Sequence, residues 1–189
     1  MAISHVTKTY GVSDAKLALV TADATGGITY GSAIDVPGIK SVTLTGEVRN
    51  VELRGDNGLL DSDSVLASIG CTFTCAKLDL DLIAAILGGS VADSGSGSTE
   101  VATYSRVQTD SFAYFGFLAK TPTNGGDLVG GDVWLKLPKC KLKNFPSFGF
   151  SEEDYTIPSF EVTAVQPIAS AGKWLQWIIN ETAASLTFS

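Results

Sequence analysis

From residue 14 onward, apolar and polar positions alternate in short runs, the period of strands with one buried face. Residues 14–20 make the first, with Ala15, Leu17 and Leu19 on one side, and Ala24-Thr25-Gly26-Gly27 turns the chain. Residues 28–36 make a second extended piece, broken at Pro37-Gly38. A short β-branched strand follows at 39–44, with no clean separation of odd and even positions. Further on, 65–77 reads as a long strand that turns Ile69, Cys71, Phe73 and Cys75 to one face.

The stretch between them, residues 47–64, keeps the alternation but carries charge on both sides. Glu47, Arg49, Glu52 and Arg54 lead into a turn at Gly55-Asp56-Asn57-Gly58, and Asp61 and Asp63 add acid beyond it. A strand pair with a charged, apolar-poor tip cannot be packed in a core. The expectation is a projecting loop, in solvent or against a neighbour.

One helix is predicted over 79–87. Asp79 is placed to cap it, Leu82, Ile83, Ile86 and Leu87 recur at helical spacing, and Gly88-Gly89 stops it. Residues 90–98, with Gly95-Ser96-Gly97, read as a flexible loop. Strands are predicted at 100–109, 112–120 and 132–143, with loops at 122–126 and 144–146. Another covers 155–167, with Pro158 near its start marking an edge or bulge. Residues 173–179 are open between helical turn and strand, and 184–188 make a last short strand. Residues 1–13 have no pattern and read as a flexible arm, available to order on assembly. No boundary or repeat divides the remainder, so 14–189 is read as a single domain, mainly β, with one flanking helix.

Composition sharpens this picture. Of 189 residues 44% are hydrophobic and only 17% charged, below the roughly 25% of an ordinary soluble domain. A chain so poor in charge must cover apolar surface with partners, which favours self-association. The net charge of −7 argues against tight nucleic-acid binding, which needs clustered cations, and suits a passage through which DNA slides without sticking. No charged-then-apolar leader opens the chain and no apolar run reaches about 18 residues, so a soluble, unexported protein is expected.

The candidate chemistry is thin. Cys71, Cys75 and Cys140 are odd in number and sit in strand patterns as small core hydrophobes, while the single histidine, His5, lies far away in the arm, so neither a disulfide scaffold nor a metal is expected. Reduced thiols fit a bacterial cytoplasm. No nucleophile–base pair, Walker loop or dinucleotide fingerprint can be assembled, and no catalysis or cofactor is expected. Arg54-Gly55-Asp56 matches an adhesion tripeptide but reads more simply as a hairpin tip. Lys136, Lys139, Lys141 and Lys143 form the one basic cluster, with the last three on one strand face; an interfacial face opposite Glu152, Glu153 and Asp154 of a neighbour is preferred to a DNA stripe. Trp174, Trp177, Phe145, Phe148, Phe150 and Tyr155 read as core or subunit contact.

An ordered set of segments carries a family likeness: Asp14-Ala15-Lys16-Leu17-Ala18, Thr29-Tyr30-Gly31, Val36-Pro37-Gly38-Ile39, Val51-Glu52-Leu53-Arg54-Gly55-Asp56-Asn57, then Ala76-Lys77-Leu78-Asp79-Leu80-Asp81 and Gly88-Gly89. This resembles the major tail-tube proteins of long-tailed bacteriophages, notably those infecting actinobacteria, best over residues 14–89. The resemblance implies two packed antiparallel sheets with a helix outside the barrel sheet, and hexameric rings whose inner strands join in one barrel. Rings stack into a tube through which genomic DNA enters the host, with 47–64 bridging subunits or rings and the N-terminal arm and 90–98 ordering at interfaces. It also implies tape-measure, tail-terminator and distal tail proteins as partners, assembly in the host cytoplasm, a place in the virion, and no membrane. Other readings are a tail terminator, a head-decoration subunit, or a β-sandwich adhesion or carbohydrate-binding module.

Overall fold

In the computed structural model the described residues are 5–123, 131–152, 155–168, 172–181 and 185–188. The alternating runs become ten strands: β1 (Asp14–Ala24), β2 (Gly27–Asp35), β3 (Ile39–Gly55), β4 (Gly58–Cys75), β5 (Ser90–Ser94), β6 (Val101–Ser105), β7 (Phe115–Pro122), β8 (Asp132–Leu142), β9 (Ser159–Ala164) and β10 (Gln176–Asn180). The one α-helix among the described residues is α1 (Leu80–Leu87). None of their helices is long and apolar enough to cross a membrane. All pairings are antiparallel, and the main sheet runs β2-β1-β7-β8-β9-β4-β3, with β10 also on β8.

Strand β8 makes this a two-layered structure. Its first half pairs with β10 over 132–136, and its last residues, Cys140–Leu142, pair with β9. One strand thus serves both layers, β2-β1-β7-β8-β10 and β8-β9-β4-β3. Phe73 on β4 and Phe117 on β7 are three strands apart along the hydrogen-bonded path, about 14 Å in a flat sheet. Their rings stack at 4.8 Å, so the sheet has folded over on itself. Phe160 stacks on Phe73 from the other side at 5.0 Å, and Leu17, Cys71, Phe115, Leu137 and Val162 complete the dry interior. The chain crosses between layers at Pro37-Gly38: Val36 N–H donates to Ala15 and Ala76 N–H to Gly38, whose φ of 67° suits glycine.

Helix α1 covers the end of this core with Leu82, Ile83, Ile86 and Leu87, the four expected residues. Asp79 accepts from the Asp81 and Leu82 amides, and Gly88 leaves the helix at positive φ. The last carbonyls are met from outside, Arg106 Nε donating to Leu87 and Tyr104 Oη to Gly88.

Four expectations change. Residues 90–98 are no loose loop: β5 pairs with β6 in a hairpin closed by a 3-10 turn at Gly97–Thr99, because Ser-Gly repeats serve tight turns as well as linkers. The strand beginning at Ile39 does not stop at Leu44 but continues to Gly55, as β4 does from Gly58. The arm is fastened in part: Tyr10 N–H donates to Pro122 and Ser13 N–H to Lys120, extending the line of β1 along β7. Residues 185–188 form no strand, and position 184 lies outside the described residues, as do 1–4 and the predicted loop from 124 to 126. They lie on the outer face instead, with Phe188 5.1 Å from the Tyr30 ring and against Gly116, where a Cβ would meet both rings.

Removing Phe73 would leave a hole between the layers. Phe73→Ala is expected to cost about 3–5 kcal/mol in denaturant unfolding. The thiols of Cys71, Cys75 and Cys140 are fully buried, and burial raises those of Cys71 and Cys75 to about 12. A thiol reagent at neutral pH should therefore label none of the three until the protein is unfolded.

Candidate assembly surface

The outer halves of β3 and β4 leave the body as a two-stranded ribbon. Beyond Gly70, β4 has lost β9 and keeps only β3 as a partner. From Glu47 to Gly55 the ribbon reaches about 30 Å at the rise of an extended strand. It is closed by a two-residue turn in which Asp56 and Asn57 both have positive φ, 45° and 64°. That is the type I′ geometry whose twist matches the strands, and Asp and Asn tolerate it. Arg54-Gly55-Asp56 belongs to this tip.

Glu47, Arg49, Glu52, Arg54, Asp56, Asn57, Asp61 and Asp63 therefore all lie on one projecting element. Several are engaged locally: Arg54 Nη2 lies 2.6 Å from Glu52 Oε2, Ser68 Oγ donates to Glu47, and Ser64 Oγ donates to Asn50. The register sets the two faces. One pairs Arg49 with Val65, Val51 with Asp63 and Leu53 with Asp61; the other pairs Val48 with Leu66, Glu52 with Ser62 and Arg54 with Leu59. Each face mixes apolar and charged residues.

The ribbon is not apolar-poor. Val48, Val51, Leu53, Leu59, Leu60, Val65 and Leu66 are all exposed, seven large apolar side chains with no core beneath them. Charge at the intervening positions masked them in the sequence; the signal was the unbroken alternation from residue 47 onward. Exposed aromatics form a second apolar region: Phe145, Phe150 at 87% exposure and Tyr155 at 90%, while Phe148 turns inward onto Phe160.

The lysines are placed differently from expectation. A bulge near Pro138 offsets β8 against β7, so Phe115 faces Cys140 but Phe117 faces Leu137. This turns Lys136 to the same outer face as Lys139 and Lys141. Two of the four find anions in their own chain rather than in a neighbour. Lys139 Nζ is 2.7 Å from Asp23 Oδ2 with both side chains largely buried, and Asp23 also accepts from the Ile168 amide. Lys143 Nζ is 2.7 Å from Glu161 Oε1 in solvent, which raises the lysine and lowers the glutamate. Lys139 and Lys141 both lie over the Tyr114 ring, at 4.7 and 4.8 Å. Burial lowers Lys136. Glu152 is exposed, and Glu153 and Asp154 lie outside the described residues.

A comparison with protein-family models finds no match, and a search of curated proteins also finds none. The assembly surface is thus defined by geometry: a ribbon with uncovered apolar side chains, exposed aromatics, and strand edges on β2, β3 and β10 that pair with no other strand among the described residues. Neither β2 nor β3 carries a proline, and Lys40, Arg49 and Arg54 are the only cations along them. Such edges are poorly guarded against pairing.

Two outcomes test the electrostatics. Asp23→Ala strands a largely buried ammonium and should cost about 3 kcal/mol, whereas Lys143→Ala should leave the unfolding midpoint almost unmoved. Tyr30 Oη donates to the Pro138 carbonyl, and burial, with Cys140 and Asp23 nearby, raises the phenol from 10.0 to about 12. The folded state thus holds the proton that the unfolded chain releases first, so this contribution is complete below pH 10 and lost as pH rises toward 12. Stability curves for the native chain and Tyr30→Phe should converge across that window; parallel curves would contradict the assignment.

Proposed function

We propose that this chain is a structural subunit of a bacteriophage tail tube, which assembles from copies of itself into stacked rings that conduct DNA. The observation that carries this reading is the ribbon of residues 47–66. A two-stranded hairpin is marginal in water without a third strand or an opposing layer, and this one leaves seven large apolar side chains uncovered. A second copy of the chain supplies such a layer at no further cost in genes.

The strand edges support the same conclusion. Pairing the free edges of β2, β3 or β10 between copies removes unsatisfied backbone groups, and a closed ring of sheets leaves none. A ring with unlike upper and lower faces then stacks without limit, because the axial contact does not close on itself. The acid excess, with net charge −7, keeps DNA mobile in a lumen that carboxylates line. Lys139 and Lys143 are already neutralised within the chain, so no free basic stripe is built from the cluster. Tape-measure, terminator and distal tail proteins are the partners this role requires, in the virion and in the host cytoplasm during assembly.

Negative-stain imaging of the purified protein at raised concentration tests the proposal. Long tubes of uniform width are the expected result. Isolated rings that never stack would instead favour a terminator or decoration subunit. A particle that stays monomeric while binding a glycan would favour an adhesion or carbohydrate-binding module.

A further inference from the structure

Where β9 leaves β8 the two layers part, and a groove of about 300 Å³ opens between them. Leu135 and Ala119 form its floor on one layer, Val42 and Leu44 its wall on the other, with Val12 at one side and Trp177 at the mouth. Trp177 sits on the inward face of β10, opposite Leu135, yet remains 59% exposed because the second layer stops short of it. An apolar cleft with a half-exposed tryptophan at its rim has the composition of a docking hot spot.

We infer that this groove is the socket for the ribbon tip of a second copy, around Leu59 and Leu60. This deepens the assembly reading and rests on it. The occupant is not the same chain's own tip. Val42 and Leu44 lie on β3 itself, and that strand runs from them straight out into the ribbon, which carries the tip about 30 Å away. The chemistry of tip and groove is complementary. Between Gly55 and Leu66 the charged residues are Asp56, Asp61 and Asp63, with no cation. The groove lining contains Lys120 and no carboxylate, and Lys8 adjoins the lining residue Thr9. Lys120 Nζ approaches Asp132 Oδ2 at 3.1 Å, off the angle a hydrogen bond needs, so its remaining donors are available to an incoming acid. Leu59 and Leu60, more than half exposed in the single chain, meet the apolar floor.

Because each copy offers one tip and one socket, the contact is heterologous and propagates in one direction. The socket lies at the root of its own ribbon, so the arm length fixes the step from copy to copy. The spacing of the polymer is then written into the number of residues between Leu44 and the turn.

Site-specific cross-linking of the full chain is decisive. Leu60→Cys and Trp177→Cys are both exposed positions, and the three native thiols are buried. Assembled together and oxidised mildly, the two variants should yield a disulfide-linked pair that neither gives alone, and the double variant should yield a ladder. Leu59→Ser with Leu60→Ser should raise the concentration for half-assembly by about tenfold or more. Tubes that form normally with the serine pair, and without the cross-link, would overturn the socket and leave the assembly reading standing. Failure of the native chain to assemble at all would overturn both.

Discussion

A β-ribbon of two strands has two faces and two edges, and water reaches all four unless something else covers them. Strands β3 and β4 live under that constraint along half their length. Their roots are held firmly, with Phe73 stacked between Phe117 and Phe160 and Cys71 and Cys75 sealed beside it. Their outer halves have only each other. The same two strands therefore anchor the fold at one end and leave it incomplete at the other. Cover for the outer halves must come from outside the single chain, and a copy of the chain is the simplest source.

The divided allegiance of β8 has a similar double effect. By pairing with β10 through its first half and β9 through its last residues, it lets one hydrogen-bonded sheet fold into two layers around a dry core. The cost is a gap where β9 departs, and that gap is the groove beside Trp177. The bulge at Pro138 follows from the same strain on β8, and it turns Lys136 outward beside Lys139 and Lys141. Those lysines then meet Asp23, Tyr114 and solvent rather than the core. Packing, ion pairing and the open groove are consequences of one strand serving two layers.

Much of this was legible in the residues. The helix could be placed because Asp79, the apolar quartet and Gly88 are local signals acting within one turn of each other. The crossing at Pro37-Gly38 and the turn at Asp56-Asn57 were readable for the same reason. What failed depended on distance. Residues 47–66 were identified as projecting, but charge hid the apolar side chains that give the projection its meaning. Lys139 and Asp23 are 116 positions apart and Lys143 and Glu161 18 apart, so spacing along the chain gave no sign of either pair. The hairpin of β5 and β6 was hidden by Ser-Gly repeats that serve a tight turn as readily as a linker. Local chemistry was visible; the choice of partner was not.

Hydrogen exchange of the ribbon amides, followed from dilute to concentrated protein, bears most directly on the idea that copies of the chain complete it. In dilute solution the amides of residues 47–66 should exchange far faster than those of β1, β7 and β8, since a lone ribbon opens readily. At concentrations where particles associate, the same amides should become protected while the core is unchanged. Equal protection at every concentration would mean that the ribbon needs no partner, and self-assembly through it would be wrong.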